Sequence, residues 1–414
     1  MSVSDLRSAQ ELKEDIVALA DLPLRYHLGG EMTSWLDGMD LVIPSPGVPM
    51  ESSLLKAAVA RRIPVLSEIE LAYRFFRAPL IAITGTNGKS TTTTLIGAML
   101  KAEGKKTFVG GNLGAPFIGA VADDWDWGVV EISSFQLEWV EVFRPRVALL
   151  LNITEDHLDR YATFADYCGA KERIFAAQTG ADVAILNRDD PRVWQLKDRL
   201  KARVLSFGFD VVNDGVFATA ADIVWRDGAT EERYPLQKAR IQGVHNVENM
   251  MAAIAAAKCA GVSRRAIDNS LEEFPGLEHR LEFVREKDGV RYYNDSKGTN
   301  VGAVVKSLAS FSAPVILLAG GVDKGGDYAP LEDCIKQKVR RLVLFGAAKQ
   351  TIAKALGHLT TTVIVDDIAT AVRDAAVHGQ AGDVVLLSPA CASFDQFRNY
   401  SERGKVFKSL VQQL

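Results

Sequence analysis

The run Leu80-Ile81-Ala82-Ile83-Thr84-Gly85-Thr86-Asn87-Gly88-Lys89-Ser90-Thr91-Thr92 constrains this chain more than any other segment. An apolar strand pattern enters a Gly-x-x-Gly-Lys-Ser turn, and a helix pattern leaves it. Gly85 and Gly88 let the backbone bend so that successive N–H groups face one concavity. The helix beginning near Lys89 aims its positive end there, and the Lys89 ammonium adds a full charge. Ser90 supplies a hydroxyl suited to Mg²⁺. The segment Gly85, Thr86, Asn87, Gly88, Lys89, Ser90 and Thr91 therefore reads as a loop for the phosphates of ATP. The common eight-residue form has glycine where Ile83 stands, so this is a variant loop, set apart from motor and signalling proteins. The alternative is a chance Gly-Lys-Ser turn on an ordinary β-α junction.

With 414 residues, 48% apolar and 24% charged, the chain has material for two or three cores. A net charge of −4 gives no global basic field, which argues against a nucleic-acid partner. The four cysteines, Cys168, Cys259, Cys334 and Cys391, have no short pairing, which suits a reducing compartment and buried structural roles. The charged start, Asp5 to Asp15, lacks a signal-peptide core, and no run approaches a membrane span. A cytoplasmic protein without membrane insertion is expected.

Three alternating β/α regions are legible. The first holds short strands at Leu41-Val42-Ile43 and Pro64-Val65-Leu66 around a Pro44-Ser45-Pro46-Gly47 turn and a helix from Leu54 to Arg61. The second opens at Leu80 and ends around Pro275. Its runs Gly128 to Glu131, Val147 to Asn152 and Val183 to Asn187 lack alternation, as parallel strands buried on both faces do. The third opens with a hairpin across Asp288-Gly289. It continues with strands at Val315 to Leu318, Leu342 to Phe345, Val363 to Val365 and Val384 to Leu387, a second doubly wound unit.

Chemistry in such sheets gathers where strands end at their carboxyl edge. Glu131 leaves its strand at the mouth of the phosphate loop and is a plausible Mg²⁺ ligand with Ser90, against the alternative of a solvated strand-end carboxylate. His157, in Asp156-His157-Leu158-Asp159, could hold a second metal, although beside carboxylates a surface hydrogen-bonding role is the simpler reading. Lys171 is by default a solvated lysine. In the third region Asp295-Ser296-Lys297-Gly298-Thr299-Asn300 breaks off a strand, with Asp295 and Lys297 on one face and Thr299 and Asn300 able to cap the next helix. Ala319 to Gly326 and Ser388 to Phe397 repeat the pattern, so three strand ends make a pocket.

Taken together, these segments resemble the Mur ligase family. The likeness also rests on Gly110-Gly111-Asn112-Leu113-Gly114, His245-Asn246, His279-Arg280 and Asp323-Lys324-Gly325. The runs Ser133-Ser134-Phe135-Gln136-Leu137 and Ser388-Pro389-Ala390-Cys391-Ala392-Ser393-Phe394-Asp395-Gln396-Phe397 point to its D-glutamate-adding branch. The resemblance implies an α/β chain of three domains. These would be an incomplete N-terminal Rossmann-like domain for a uridine nucleotide (1–76), a central P-loop ATPase-type domain (77–275) and a C-terminal Rossmann-like domain for the amino acid (276–414). It implies ATP-dependent ligation of D-glutamate to UDP-N-acetylmuramoyl-L-alanine through an acyl phosphate, in peptidoglycan precursor synthesis, by a monomer. It also implies two Mg²⁺ ions, one with Ser90 and Glu131, the other with His157 and a carbamate on Lys171.

By the same resemblance Asn246, Asn249, Arg280 and Asp295 would meet adenosine, and Lys297 would approach the acyl phosphate. Asp5, Leu6 and Arg7 would contact uracil, with Ser45, Pro46, Gly47 and Asn112 near the diphosphate and Ser133 and Gln136 further along that substrate. D-Glutamate would be held by Thr299, Lys324, Ser393 and Tyr400. One departure is expected to matter: the strand, glycine-rich turn and helix that ordinarily precede the segment resembling Val3 to Ser8 have no counterpart, and a sheet lacking that strand would expose apolar edge. Two rival readings, a folylpolyglutamate synthase-like glutamate ligase and a P-loop ATPase coupled to a protein partner, share the phosphate loop. Folate binding would mark the first, and hydrolysis independent of D-glutamate the second.

Overall fold

A computed structural model describes residues 1–414 except 157–159, 242, 324 and 326. The largest sheet is built around the apolar runs. It comprises β3 (Leu80–Thr84), β4 (Thr107–Gly111), β5 (Trp127–Glu131), β6 (Val147–Leu150), β7 (Val183–Asn187), β8 (Arg203–Gly208), β9 (Gly215–Ala218), β10 (Asp222–Asp227) and β11 (Thr230–Pro235). Among the described residues these nine strands lie in the order β11-β10-β9-β8-β7-β6-β3-β5-β4. Neighbours from β4 to β9 are parallel, and β10 runs antiparallel to both β9 and β11.

Continuous apolar runs form central strands here because both faces are covered. Ile81 and Ile83 pack on one side against Leu95, Met99, Met251 and Ile254 from the helices Lys89–Ala102 and Val244–Cys259. Leu80 and Ala82 face the other side, with Phe117, Phe143 and Ile174. Each fully buried Ile or Leu contributes roughly 1.5–3 kcal/mol relative to exposure.

Preceding this sheet, β1 (Ser2–Asp5) and β2 (Arg25–Leu28) pair in parallel as a separate two-stranded sheet. The two strands expected around the Pro44 to Gly47 turn shrink to a single parallel bridge, Val42 with Val65. The intervening helix forms as expected, at Ser53–Ala60, and closes a small core of Leu36, Leu55, Ala58 and Val65. Leu6, Leu22, Met32, Ile43, Met50 and Val59 in this region are exposed.

The last sheet comprises β12 (Glu282–Lys287), β13 (Val290–Asn294), β14 (Val315–Gly320), β15 (Val339–Phe345), β16 (Thr361–Ile364) and β17 (Val384–Leu387), in the order β12-β13-β17-β14-β15-β16. All neighbours are parallel except β12 and β13, the hairpin expected at Asp288-Gly289. Helices cover both faces. No helix among the described residues is long and apolar enough to cross a membrane.

Candidate active site

β3 delivers the chain into the phosphate loop with every strand residue buried. Gly88 caps the helix Lys89–Ala102 in the left-handed region, φ 86°. A Cβ there would stand 2.3 Å from Asn249 Oδ1. Gly88→Ala therefore carries a backbone penalty of about 1–2 kcal/mol plus that clash. A lower melting temperature together with loss of nucleotide binding by calorimetry is the expected result; unchanged binding would contradict this role.

The Lys89 ammonium donates to the carbonyls of Gly85 (2.8 Å) and Thr86 (2.9 Å). Burial lowers its pKa, against the attraction of Glu131. Asn152, at the end of β6, clamps the loop from the side: its Oδ1 accepts from Asn87 N at 2.8 Å and its Nδ2 donates to Asn87 O at 3.1 Å. Lys171 is not the solvated lysine expected by default. It is 2% exposed, donates to Gly85 O at 3.0 Å and lies 4.6 Å over the Tyr167 ring. Burial, then the nearby Lys89 charge, holds its pKa well below the usual lysine range.

Glu131 sits at the end of β5, 3% exposed, and is not a solvated carboxylate either. Its Oε1 accepts from Asn112 Nδ2 at 2.8 Å, while Oε2 is buried without a partner. An orphaned carboxylate oxygen is costly unless something charged meets it. Lining one cleft with Ser90, it fits a hard divalent cation that phosphate oxygens would also ligate. No group of three or more His, Cys, Asp or Glu side chains suited to a metal occurs among the described residues. The expected second-metal ligand His157 lies outside the described residues, as does Lys324.

Opposite the loop, the start of the six-stranded sheet closes a cleft of about 650 Å³. Thr86 to Thr91, Asn112, Glu131, Asn246, Asn249, Arg280, Asp295, Lys297, Thr299 and Tyr400 all line it. Arg280 Nη2 donates to Ser90 Oγ at 2.8 Å, a bond between the two sheets' machinery. Lys297 Nζ lies 3.8 Å over the Tyr400 ring. Asn249 Nδ2 donates to Asn246 Oδ1 at 3.3 Å. His245, also in the wall, meets Ser310 Oγ at 3.0 Å, and burial pushes its pKa down to about 4.

Asp295 is 6% exposed, and its Oδ2 accepts from Ser307 and Ser388 at 2.7 Å each. Desolvation raises its pKa to about 6 in spite of those bonds. The folded state thus holds this proton more tightly than the unfolded chain does. The stability so contributed is complete at acid pH and is lost as pH rises through about 6. Asp295→Asn should therefore gain stability over the wild type as pH rises from about 4 to 7, by an amount on the order of 2–3 kcal/mol. Calorimetric melts at both pH values check this, and a constant difference would refute it.

Other expected site residues stand apart from the cleft. Ser133 and Gln136 are engaged with each other in a capping box on the helix Ser134–Leu137. Ser393 is buried in the loop beyond β17. Asp5 and Arg7 form an ion pair at 2.9 Å, Leu6 is exposed, and Ser45, Pro46 and Gly47 form an exposed turn of the first region. One contributor escaped the sequence: Arg403, fully buried in the helix Tyr400–Gln413, ties Ser296 to the Cys391 carbonyl. A single arginine in an amphipathic helix carries no signal of that kind.

A phosphate loop, an orphaned carboxylate and cationic side chains from a second sheet, all lining one cleft, define an enzyme that works on nucleotide phosphates. The chain matches the model of the Mur ligase middle domain over residues 83–257 and that of the Mur ligase glutamate ligase domain over 279–391. It is 51% identical to the UDP-N-acetylmuramoylalanine–D-glutamate ligase of Geotalea uraniireducens, covering 100% of this chain and 92% of that protein. It is 47% identical to the protein of the same name from Syntrophotalea carbinolica, over 100% and 92%. Its fold is similar to the crystal structure of MurF from Acinetobacter baumannii, with TM-score 0.66 at 19% identity over 99% of this chain and 90% of that one. The fold is also similar to that of UDP-N-acetylmuramate-alanine ligase MurC from Thermotoga maritima, with TM-score 0.61 at 18% identity over 100% and 93%. The chain belongs to the Mur ligase family.

Proposed function

We propose that this protein is an ATP-dependent ligase that joins D-glutamate to UDP-N-acetylmuramoyl-L-alanine in peptidoglycan precursor synthesis. The observation that carries the reading is the single cleft in which Lys89, Ser90 and the unpartnered Glu131 Oε2 face Arg280 and Lys297. A carboxylate does not react with an amine, so it must first be activated. The γ-phosphoryl group of ATP passes to the alanyl carboxylate and ADP departs. The D-glutamate amine then attacks the acyl phosphate, loses a proton, and inorganic phosphate leaves with the C–O bonding pair as the amide forms.

In this scheme Lys89 and the loop amides hold the β- and γ-phosphates, and Arg280 and Lys297 offset the charge that builds on the transferring group. Mg²⁺ bound by Ser90 and Glu131 would supply further charge neutralisation. A second ion, with His157 and a carbamate on Lys171, is part of the proposal. Lys171 is buried, and that burial holds its pKa well below the usual lysine range, which suits reaction with CO₂. A bare Lys171 in a crystal loaded with metal and nucleotide, with Lys171→Ala fully active, would remove that element. Asn246, Asn249 and Asp295 would meet adenosine; Asp5, Leu6, Arg7, Ser45 to Gly47, Asn112, Ser133 and Gln136 the uridine substrate; and Thr299, Lys324, Ser393 and Tyr400 the amino acid.

The domain reading is 1–76 for the uridine nucleotide, in a Rossmann-like unit, 77–275 for ATP and 276–414 for D-glutamate, in a cytoplasmic monomer. Supplying UDP-N-acetylmuramoyl-L-alanine, ATP and Mg²⁺ with D- or L-glutamate tests the function. Phosphate release that requires both cosubstrates and the D-isomer is expected; ATP hydrolysis indifferent to D-glutamate would overturn it.

A further inference from the structure

Arg160 has no role in the chemistry proposed, yet its guanidinium is engaged on every side. It is 11% exposed and faces Glu138, 2% exposed, in a bidentate pair: Nε to Oε1 at 3.0 Å and Nη2 to Oε2 at 2.6 Å. The Tyr161 hydroxyl donates to the same Oε1 at 2.8 Å. The guanidinium stacks over the Phe135 ring at 4.3 Å. Nη2 also donates to the backbone carbonyl of Val48 at 2.9 Å. Arg173 braces the same corner through the carbonyls of Leu137 (2.9 Å) and Val140 (2.7 Å).

This one guanidinium therefore joins three separate stretches. They are the Ser45 to Val48 turn of the first region, the segment following β5 that carries Phe135 and Glu138, and the chain leaving β6 toward Tyr161. A planar fork is needed for that arrangement: two parallel bonds to the carboxylate, a third to a carbonyl, and a flat face for the ring. A lysine ammonium keeps the charge but not the geometry.

We infer that Arg160 is a positioning residue that fixes the Ser45 to Val48 turn against the central sheet, so that the nucleotide end of the carboxylate substrate is held in register with the phosphate loop. The inference rests on the proposed function for the identity of that substrate. Its effect falls mainly on one substrate because the guanidinium bonds the first region directly, whereas it reaches the phosphate loop only at one remove, through the Tyr161 ring against Tyr167, whose hydroxyl meets Thr86 Oγ1, and that loop has its own bonds from Asn152 and Lys89.

Arg160→Met and Arg160→Lys are compared with wild type by steady-state kinetics, and the binding of UDP-N-acetylmuramoyl-L-alanine and of ATP is measured by calorimetry. Loss of a charge-assisted bond predicts that the methionine variant raises KM and Kd for the uridine substrate about tenfold or more, with ATP values within about twofold of wild type and lysine intermediate. Equal weakening toward both nucleotides, or unchanged uridine affinity, would overturn it. Should the methionine variant fail to fold, as judged by its melt, the lysine variant must show the same split, and its absence there counts against the inference. A wild-type protein that binds both nucleotides but forms no amide would sink the proposed function, while the binding split would still decide the role of Arg160.

Discussion

Glu131→Gln should give a protein that melts at or above the wild-type temperature and has lost activity by a factor of roughly 10²–10³. The two effects separate because the residue is placed for chemistry at the expense of stability. Its Oε2 is buried with no hydrogen-bond partner, so in the folded protein only the longer-range attraction of Lys89 and Lys171 offsets its charge. The isosteric amide removes that charge and keeps a carbonyl oxygen for Asn112. The same exchange places a neutral group where a divalent cation needs an anionic ligand. Melting curves and D-glutamate-dependent phosphate release check the pair of outcomes together. A lower melt would mean that Oε2 is satisfied in the folded protein, and activity within a few-fold of wild type would remove Glu131 from the metal site.

Arg403→Met should be the most destabilising of these substitutions. The guanidinium is fully buried, donating to Ser296 O at 2.8 Å and, from Nη1 and Nη2, to Cys391 O at 3.2 Å each. Desolvation lowers its pKa to about 10 against the attraction of Cys391, Asp395 and Asp295, and it remains charged at neutral pH. Methionine has similar reach and no donors. It would leave the Ser296 and Cys391 carbonyls unmet, at about 1–3 kcal/mol each. Chemical denaturation should show a midpoint shift matching a loss of roughly 2–6 kcal/mol. Because the two carbonyls belong to the loops after β13 and β17, the surviving fraction should also bind D-glutamate poorly. A midpoint within error of wild type would show that these loops hold without the arginine.

Where burial is two-sided, the chain announces itself: β3, β7 and β17 follow the unbroken apolar runs because both faces are covered by helices. The antiparallel extension from β9 to β11 was not anticipated, although Asp227-Gly228 between β10 and β11 is an ordinary hairpin signal. β10 and β11 mix exposed and buried positions, and half of Thr230–Pro235 is charged, so no long apolar run marks the extension. The strands around Ser45 failed for the opposite reason. Leu41-Val42-Ile43 is apolar, but its neighbours supply little surface to bury it, and Leu41 and Ile43 remain exposed. In the site, strand-end position located Glu131 and Asp295, whereas contacts between distant segments, such as Arg280 with Ser90 or Arg160 with Val48, leave no trace in spacing.

The crossing from the nine-stranded to the six-stranded sheet holds three residues with positive φ in close succession: Gly276 at 83°, His279 at 66° and Leu281 at 45°. Glycine adopts this freely, but histidine and leucine resist it by about 1–2 kcal/mol each. Those torsions flank Arg280, the residue that bonds Ser90 across the cleft, so the nucleotide-facing wall stands on backbone that only the packing around it holds in place.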